Sequence, residues 1–226
     1  MVGLPVNIAE LSAIGSDEVG VGDYLGPLVV ASVYVESHQI EELRALGVRD
    51  SKGLSDDRIC AIADKIKEMV LFKVVVFENK YYNAMIDQKL NAHVVKSFLH
   101  NKAIGALVSD LPAYPEYIIV DEFASKELYF KYLNKLPKKQ AVIKDHLYFV
   151  KKGESVHVAV AAASILARQA FVHYMENLSQ TYDLEILKGA SAKVDQCGKK
   201  FLEIHGEAAF KDLCKWHFAN TKRVLN

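Results

Sequence analysis

The segment "GSDEVGVGDYLGP" (residues 15–27) places two adjacent carboxylates, Asp17 and Glu18, directly before a glycine-rich run. Clustered carboxylates raise each other's pKa, and a divalent cation removes that cost. Because glycine has no Cβ, Gly20 and Gly22 let the backbone turn tightly and approach a ligand closely. The segment therefore predicts either a plain hairpin turn or a turn that lies beside a metal and ligand site.

The surrounding sequence predicts a sheet flanked by helices. Apolar, β-branched runs predict strands at residues 11–19, 27–35, 71–77, 117–123 and 141–145. Helical spacing and capping residues predict helices at residues 40–47, 55–70, 91–110, 126–136, 157–178 and 196–217. Early strands with a hairpin link, followed by alternating strands and helices, indicate an α/β fold with a mixed sheet and a helical C-terminal part. No linker is visible, so we expect a single domain over residues 1–226.

Composition favours a soluble, cytoplasmic protein. The chain has 226 residues, of which 51% are hydrophobic and 25% charged, as is ordinary for a globular domain. Its three cysteines show no CxxC spacing, which argues against a disulfide framework or a zinc site and fits a reducing compartment. The longest apolar stretch, residues 158–167, is too short to span a bilayer, and no secretory signal is visible. We therefore expect no membrane partner.

Charge is unevenly distributed along this neutral chain. Residues 1–125 carry a net charge of −7, whereas residues 126–152 carry +6 and residues 188–226 carry +4. This pattern indicates a metal-binding face and a phosphate-binding face, although solvated surface would give the same counts. The leading candidates for phosphate contacts in the basic tracts are Lys138, Lys139, Lys151, Lys152, Lys199 and Lys200.

Four acids from three separated segments form the candidate site: Asp17, Glu18, Asp121 and Glu154. Strand ends and adjoining loops meet at one edge of a sheet, so these residues are expected to converge there. Two hard divalent ions held by such carboxylates can activate a water and stabilise the leaving oxygen in phosphodiester cleavage. Each acid also has a structural interpretation, since Asp121 could cap a helix and Glu154 could complement a helix dipole. The eight histidines show no ligand spacing and are expected to be surface or core residues.

Six segments in this order resemble the type 2 ribonucleases H, and most closely bacterial ribonuclease HIII. They are "GSDEVGVGDYLGP", "RDSKGLSD", "FLHN", "IIVDEF", "GESVHVAVAAASILAR" and "HFANTKR". The resemblance runs from Gly15 to the C-terminus and implies an RNase H-like five-stranded sheet. It implies endonucleolytic cleavage of the RNA strand of RNA/DNA hybrids, with 5′-phosphate and 3′-hydroxyl ends. It also implies Mg²⁺ or Mn²⁺ as cofactor, with two ions when substrate is bound, and we expect a monomer.

The same resemblance assigns roles to individual residues. Asp17, Glu18 and Asp121 match the first three acids of the family. Glu154 matches the fourth, where ribonuclease HII usually has Asp. The motif Gly20-Val21-Gly22 matches the segment whose backbone reads ribose 2′-hydroxyls, and we expect both glycines to be needed for their missing Cβ. Lys52 and Ser164 match candidate phosphate contacts.

Two departures from the family pattern leave alternatives open. Val21 stands where ribonuclease HIII usually has Thr and ribonuclease HII has Arg, and the substrate-binding domain that usually precedes the acid pair in ribonuclease HIII has no counterpart in the 16 residues before Asp17. We therefore expect weak, salt-sensitive binding of the hybrid. The alternatives are ribonuclease HII activity at single embedded ribonucleotides and a nucleic-acid-binding module without catalysis.

Overall fold

The computed structural model describes residues 3–48, 53–136 and 141–226. Its strands are β1 (Ala13–Val19), β2 (Leu28–Val35), β3 (Leu71–Phe77), β4 (Ile118–Asp121) and β5 (Leu147–Val150). Its α-helices are α1 (Ile40–Ala45), α2 (Asp56–Met69), α3 (Asn79–Asp87), α4 (Ala92–Asp110), α5 (Lys126–Leu133), α6 (Gly153–Val156), α7 (Val158–Thr181), α8 (Ala192–Leu213) and α9 (Ala219–Leu225). Single 3₁₀ turns occupy Ile8–Glu10 and Ser37–Gln39.

The strands form one mixed sheet in the order β3-β2-β1-β4-β5. Strands β1 and β4 run parallel, with Ser16 opposite Val120. Strands β4 and β5 also run parallel, with Asp121 opposite Val150. Continuing the β1–β4 register by one residue brings Asp17 opposite Asp121, so two of the four acids lie on neighbouring strands near the same edge. The mixed five-stranded sheet confirms the predicted fold class.

The two faces of the sheet pack against different helices. On one face Ile14 of β1 shares a buried cluster with Ile104 of α4. On the other face Ala13 shares a buried cluster with Val160 of α7. Because side chains alternate along a strand, this division decides which helix each residue of β1 faces.

Helix α7 lies unusually close to β1 at Gly15. A Cβ built on Gly15 would lie 2.2 Å from the carbonyl carbon of Ala159 and 2.2 Å from the amide nitrogen of Val160. No side chain fits that space, so glycine is required at this position for the helix to approach the strand.

The predicted strand at residues 141–145 is wrong, because the fifth strand of the sheet is Leu147–Val150. The segment around 141–143 is instead bound by a side chain of α4. The Asn101 amide donates to the carbonyl of Ala141 (2.8 Å), and its oxygen accepts from the amide of Ile143 (3.0 Å). These bonds satisfy backbone groups that strand pairing would otherwise satisfy.

Contacts within the chain divide it into two compact units. The first comprises Met1–Glu18, Val30–Val75 and His93–Gln169, and it contains most of the sheet and all four candidate acids. The second comprises Val19–Val29, Val76–Ala92 and Ala170–Asn226. The single domain over residues 1–226 stays a prediction.

The C-terminal part is helical, as predicted, but its helices differ in detail. Helix α8 contains a break at Gly206, whose φ of 78° is not helical, and a separate helix α9 follows. Helix α3, in the second stretch of the second unit, was not predicted from the sequence.

Helix α7 is long and apolar enough to cross a membrane by length and composition alone. Its most apolar window is 72% buried inside the protein, as in a core helix. All three cysteines are free thiols.

Candidate active site

The adjacent acids Asp17 and Glu18 point to opposite faces of the sheet, because they are consecutive residues of β1. Asp17 faces α7, where the side chain of Ser164 hydrogen-bonds to its carboxyl group. Glu18 faces α4, where Lys96 and His100 each contact one of its carboxylate oxygens at 2.9 Å. Strand alternation therefore gives the two acids different electrostatic surroundings.

The pKa of Asp17 is raised to about 7, first by burial and then by the neighbouring charge of Glu18. The charge of Asp121 acts in the same direction. Hydrogen bonds from Ser164 and from the amide of Glu18 (2.7 Å) favour the ionised form but do not compensate. A positive charge near this carboxyl group would stabilise its ionised form.

The pKa of Glu18 is lowered to about 2, although burial, the largest single influence, raises it. The hydrogen bond and charge of His100, together with those of Lys96, outweigh the burial. Glu18 is therefore ionised at neutral pH while its neighbour is partly protonated. Two adjacent carboxyl groups whose pKa values are driven apart are typical of active sites.

Asp121 is connected to the segment that carries Glu154. The amide of Gly153 donates to Oδ1 of Asp121 at 2.8 Å, and a Cβ on Gly153 would lie 3.5 Å from that oxygen. Helix α6, which begins at Gly153, places Glu154 in its first turn. The structure thus brings Asp17, Asp121 and the backbone beside Glu154 to one end of β1 and β4.

The oxygen ligands at this end of the sheet are of the type that a hard divalent cation binds, although they do not form a complete coordination site. Within residues 3–48, 53–136 and 141–226, no group of three or more His, Cys, Asp and Glu side chains is arranged to hold a metal ion. The carboxylate oxygens of Asp17 and Asp121 are the ligands that Mg²⁺ and Mn²⁺ prefer. The raised pKa of Asp17 also indicates that negative charge here is not fully compensated. Glu18 would join such a site by exchanging one of its contacts with Lys96 or His100.

The structure describes some of the residues that were predicted to contact substrate, whereas others lie outside the described residues. Gly20, Val21 and Gly22 follow β1 in the second unit. Ser164 is half-buried and hydrogen-bonded to Asp17, so the structure gives it a contact with a candidate acid. Lys52, Lys138 and Lys139 lie outside the described residues, whereas the other four candidate lysines, Lys151, Lys152, Lys199 and Lys200, are exposed.

The two motif glycines differ in what the backbone requires of them. Gly20 has a φ of 91°, and a Cβ there would lie 2.2 Å from the carbonyl oxygen of Pro27. A Cβ on Gly22 would meet no atom of the described residues within 4 Å, and Gly22 is not among the glycines with positive φ. Within the protein, only Gly20 requires the missing Cβ, and the expectation that both glycines let the backbone approach a ligand stays a prediction.

We expect Gly20→Ala to destabilise the protein by at least about 2 kcal/mol, because alanine meets both an unfavourable φ and a backbone oxygen. Gly22→Ala should change the free energy of unfolding by less than about 0.5 kcal/mol. Urea denaturation of the two variants measures the difference. Equal losses in both variants would contradict this account of the motif.

A buried lysine anchors the segment that follows the glycine motif. The ammonium group of Lys215 is fully buried and donates to the carbonyl oxygens of Asp23 (2.7 Å) and Gly26 (2.9 Å). The side chain of Asp23 in turn accepts from the amide of Gly189 (2.6 Å). Asp23 therefore helps to anchor this segment through both its backbone carbonyl and its side chain.

This lysine predicts a distinctive dependence of stability on pH. Burial lowers the pKa of Lys215 to about 8 from its usual 10.5. Between these values the unfolded chain holds the proton and the folded chain does not, so the free energy of unfolding should rise with pH from about 8 to 10.5. Denaturation midpoints across this range measure the rise, and Lys215→Met should lack it. The exposed-lysine control Lys200→Met should retain it, and a rise that persists in Lys215→Met would assign it to another group.

Sequence reasoning missed two residues that contact a candidate acid. Lys96 and His100 lie 78 and 82 residues from Glu18 along the chain and reach it from one face of α4. His100 is fully buried, in agreement with the expectation of a core or surface residue, but its contact with a candidate acid was not predicted. The available signal was the "FLHN" segment, residues 98–101, which contains His100.

The geometry is that of the RNase H-like class of nucleases, with acids at neighbouring strand ends of a mixed five-stranded sheet. A family model described as ribonuclease HII matches residues 14–221. The chain belongs to this family, and it is an RNase H-type endoribonuclease. The resemblance noted from the sequence is thereby confirmed.

Individual relatives place the chain near ribonucleases HIII. The ribonuclease HIII of Geobacillus sp. (strain WCH70) is 45% identical over 218 residues, which cover 96% of this chain and 71% of the relative. That of Bacillus cereus (strain ATCC 14579) is 43% identical over 222 residues, covering 98% and 70%. Among solved structures, Bst-RNase HIII in complex with Mn²⁺ is 44% identical with a TM-score of 0.91, covering 96% of this chain and 70% of that chain. The ribonuclease H2 of Pyrococcus horikoshii OT3, at 20% identity and a TM-score of 0.76, covers 95% and 97% and shares the fold.

Proposed function

We propose that this chain hydrolyses the RNA strand of RNA/DNA hybrids, with a preference for runs of ribonucleotides as in ribonuclease HIII. The observation that carries the proposal is the position of Asp17 and Glu18 at the end of β1, where the β1–β4 register brings Asp17 opposite Asp121. Water adds across the P–O3′ bond, which leaves a 3′-hydroxyl on one fragment and a 5′-phosphate on the other.

We propose that the reaction depends on Mg²⁺ or Mn²⁺ held by four acids, Asp17, Glu18, Asp121 and Glu154. A divalent ion supplies a stronger nucleophile from bound water and stabilises charge on the leaving oxygen. The Mn²⁺ complex of Bst-RNase HIII supports this choice of metal. In this chain Asp17 would contribute its ionised carboxylate, held by Ser164, and Gly153 would orient Asp121 through its amide.

The remaining contacts are proposed from the family motif and from charge. The backbone of Gly20 and Gly22 would read the ribose 2′-hydroxyl, the group that distinguishes RNA from DNA. Phosphates would be bound by Lys52, Ser164 and the basic tracts, which makes the affinity fall as salt rises. We propose that the enzyme acts as a monomer, and its cytoplasmic location stays a prediction from the sequence.

Cleavage of three end-labelled duplexes tests the proposal: an all-RNA strand on DNA, a DNA duplex with one embedded ribonucleotide, and all-DNA. We expect rapid cleavage of the first in the presence of Mg²⁺ or Mn²⁺, slow cleavage of the second and none of the third. Efficient cleavage at the single ribonucleotide would favour the alternative, ribonuclease HII activity. Cleavage of the hybrid in EDTA at the same rate as in Mg²⁺ or Mn²⁺ would contradict the proposed dependence on a divalent metal.

A further inference from the structure

The ammonium group of Lys96 is a buried positive charge beside a candidate acid. Lys96 is 7% exposed, and its Nζ lies 2.9 Å from Oε1 of Glu18. The same Nζ lies 4.3 Å from the centre of the Phe123 ring. Burying a charge is costly unless it is paired, so this lysine depends on the charge of Glu18 and on the aromatic ring that covers it.

The second oxygen of Glu18 is bound from the same face of α4. His100, one helical turn after Lys96, is fully buried, and its Nε2 lies 2.9 Å from Oε2 of Glu18. Its Nδ1 lies 2.8 Å from Oγ of Ser16, whose own proton is donated to the carbonyl of Ala31. The ring of His100 is therefore held in a fixed orientation between Ser16 and Glu18.

Both oxygens of Glu18 are thus bound by groups of the protein before any metal enters. A carboxylate that is bound in this way must exchange a contact to become a metal ligand. A unit positive charge a few ångströms from a divalent ion also repels it, more strongly in a buried site than in water.

We propose that Lys96 is a positioning residue that holds Glu18 in the metal-free enzyme and competes with the divalent cation for it. The inference rests on the proposed role of Glu18 as a metal ligand. Lys96 would stabilise the acid cluster without metal and, for the same reason, weaken metal binding. The affinity for metal would then be set in part by a residue that does not bind the metal.

Lys96→Met tests the proposal, because methionine keeps the length and apolar stem of lysine without its charge. Mn²⁺ binding to the full chain is measured by calorimetry without nucleic acid. We expect binding on the order of ten-fold tighter than in the wild type. The melting temperature without metal should fall by several degrees, and saturating Mn²⁺ should recover most of that loss. Lys102→Met, which removes an exposed lysine from the same helix, is the matched control and should change neither quantity.

Lys96→Arg keeps the test decisive if the methionine variant does not fold. Arginine retains the charge, so we expect Mn²⁺ binding no tighter than in the wild type. Weaker or unchanged binding in Lys96→Met would overturn the proposal, as would tighter binding in Lys96→Arg. Absence of Mn²⁺ binding in the wild type and in every variant would instead overturn the metal site of the proposed function.

Discussion

Asp17→Asn is expected to lower the rate of hybrid cleavage by roughly three orders of magnitude or more while the protein stays folded. Asparagine has nearly the same shape but cannot supply a negative charge to a divalent cation. Its amide also replaces an oxygen that accepts from Ser164 or from the amide of Glu18. Single-turnover cleavage in saturating Mg²⁺ measures the loss, and circular dichroism verifies the fold.

The same substitution should stabilise the metal-free protein at neutral and alkaline pH. The pKa of Asp17 is raised from 3.8 to about 7, so between these values the folded chain holds a proton that the unfolded chain has lost. The free energy of unfolding contributed by this group therefore falls as pH rises from about 4 to 7. Asparagine removes that fall, and we expect a gain of about 2 to 4 kcal/mol at pH 8 in EDTA.

Glu18→Gln provides the contrasting control. The pKa of Glu18 is lowered, so its charge stabilises the folded state above the usual pKa and that contribution is lost as pH falls from about 4.5 to 2. Removing the charge leaves Lys96 without its partner, and we expect destabilisation. Near-full activity of Asp17→Asn, or a stability change of the same sign in both variants, would contradict the different roles of the two acids.

Gly15→Ala is expected to be among the most destabilising single substitutions in the chain, at about 3 kcal/mol or more. The added methyl group would lie 2.2 Å from backbone atoms of Ala159 and Val160. Backbone of a strand and a helix cannot move aside as a flexible side chain can, so α7 must shift or the substitution prevents folding. A shift of α7 also moves Ser164 relative to Asp17, and cleavage should fall together with stability.

Gly105→Ala is the matched control, because it adds the same methyl group within α4. Its Cβ would lie 3.9 Å from Ile143, which is ordinary contact. Alanine also favours a helix over glycine, so we expect a gain of about 0.5 to 1 kcal/mol. Thermal and urea denaturation of the two variants measure the contrast. A loss below about 1 kcal/mol in Gly15→Ala would show that the helix tolerates displacement from the strand.

Local sequence pattern was sufficient for most of the architecture. Apolar, β-branched runs identified β1, β2, β3 and β4, and capping residues with helical spacing identified the long helices α2, α4 and α7. These signals work because strand and helix periodicities are properties of a few consecutive residues. The motifs in order were also sufficient for the family, because each can be recognised without knowledge of what it contacts.

The predictions from the sequence were wrong or incomplete where a residue far away along the chain determines the local structure. The segment at 141–145 has strand-like composition, but the side chain of Asn101 binds its backbone, and the strand forms at Leu147–Val150. Likewise, the glycine motif contains two similar glycines, and only the backbone conformation and the position of the Pro27 carbonyl distinguish Gly20 from Gly22.

The neighbouring acids Asp17 and Glu18 show which properties follow from the sequence and which follow from the tertiary structure. The sequence alone determined that Asp17 and Glu18 are consecutive residues of a strand, which directs their side chains to opposite faces. Tertiary structure alone decided that one face presents Ser164 and the other presents Lys96 and His100. The pKa of a buried carboxyl group depends on burial and on charges within a few ångströms, and these neighbours come from helices far away along the chain. Two acids that look equivalent in the sequence therefore differ in protonation at neutral pH.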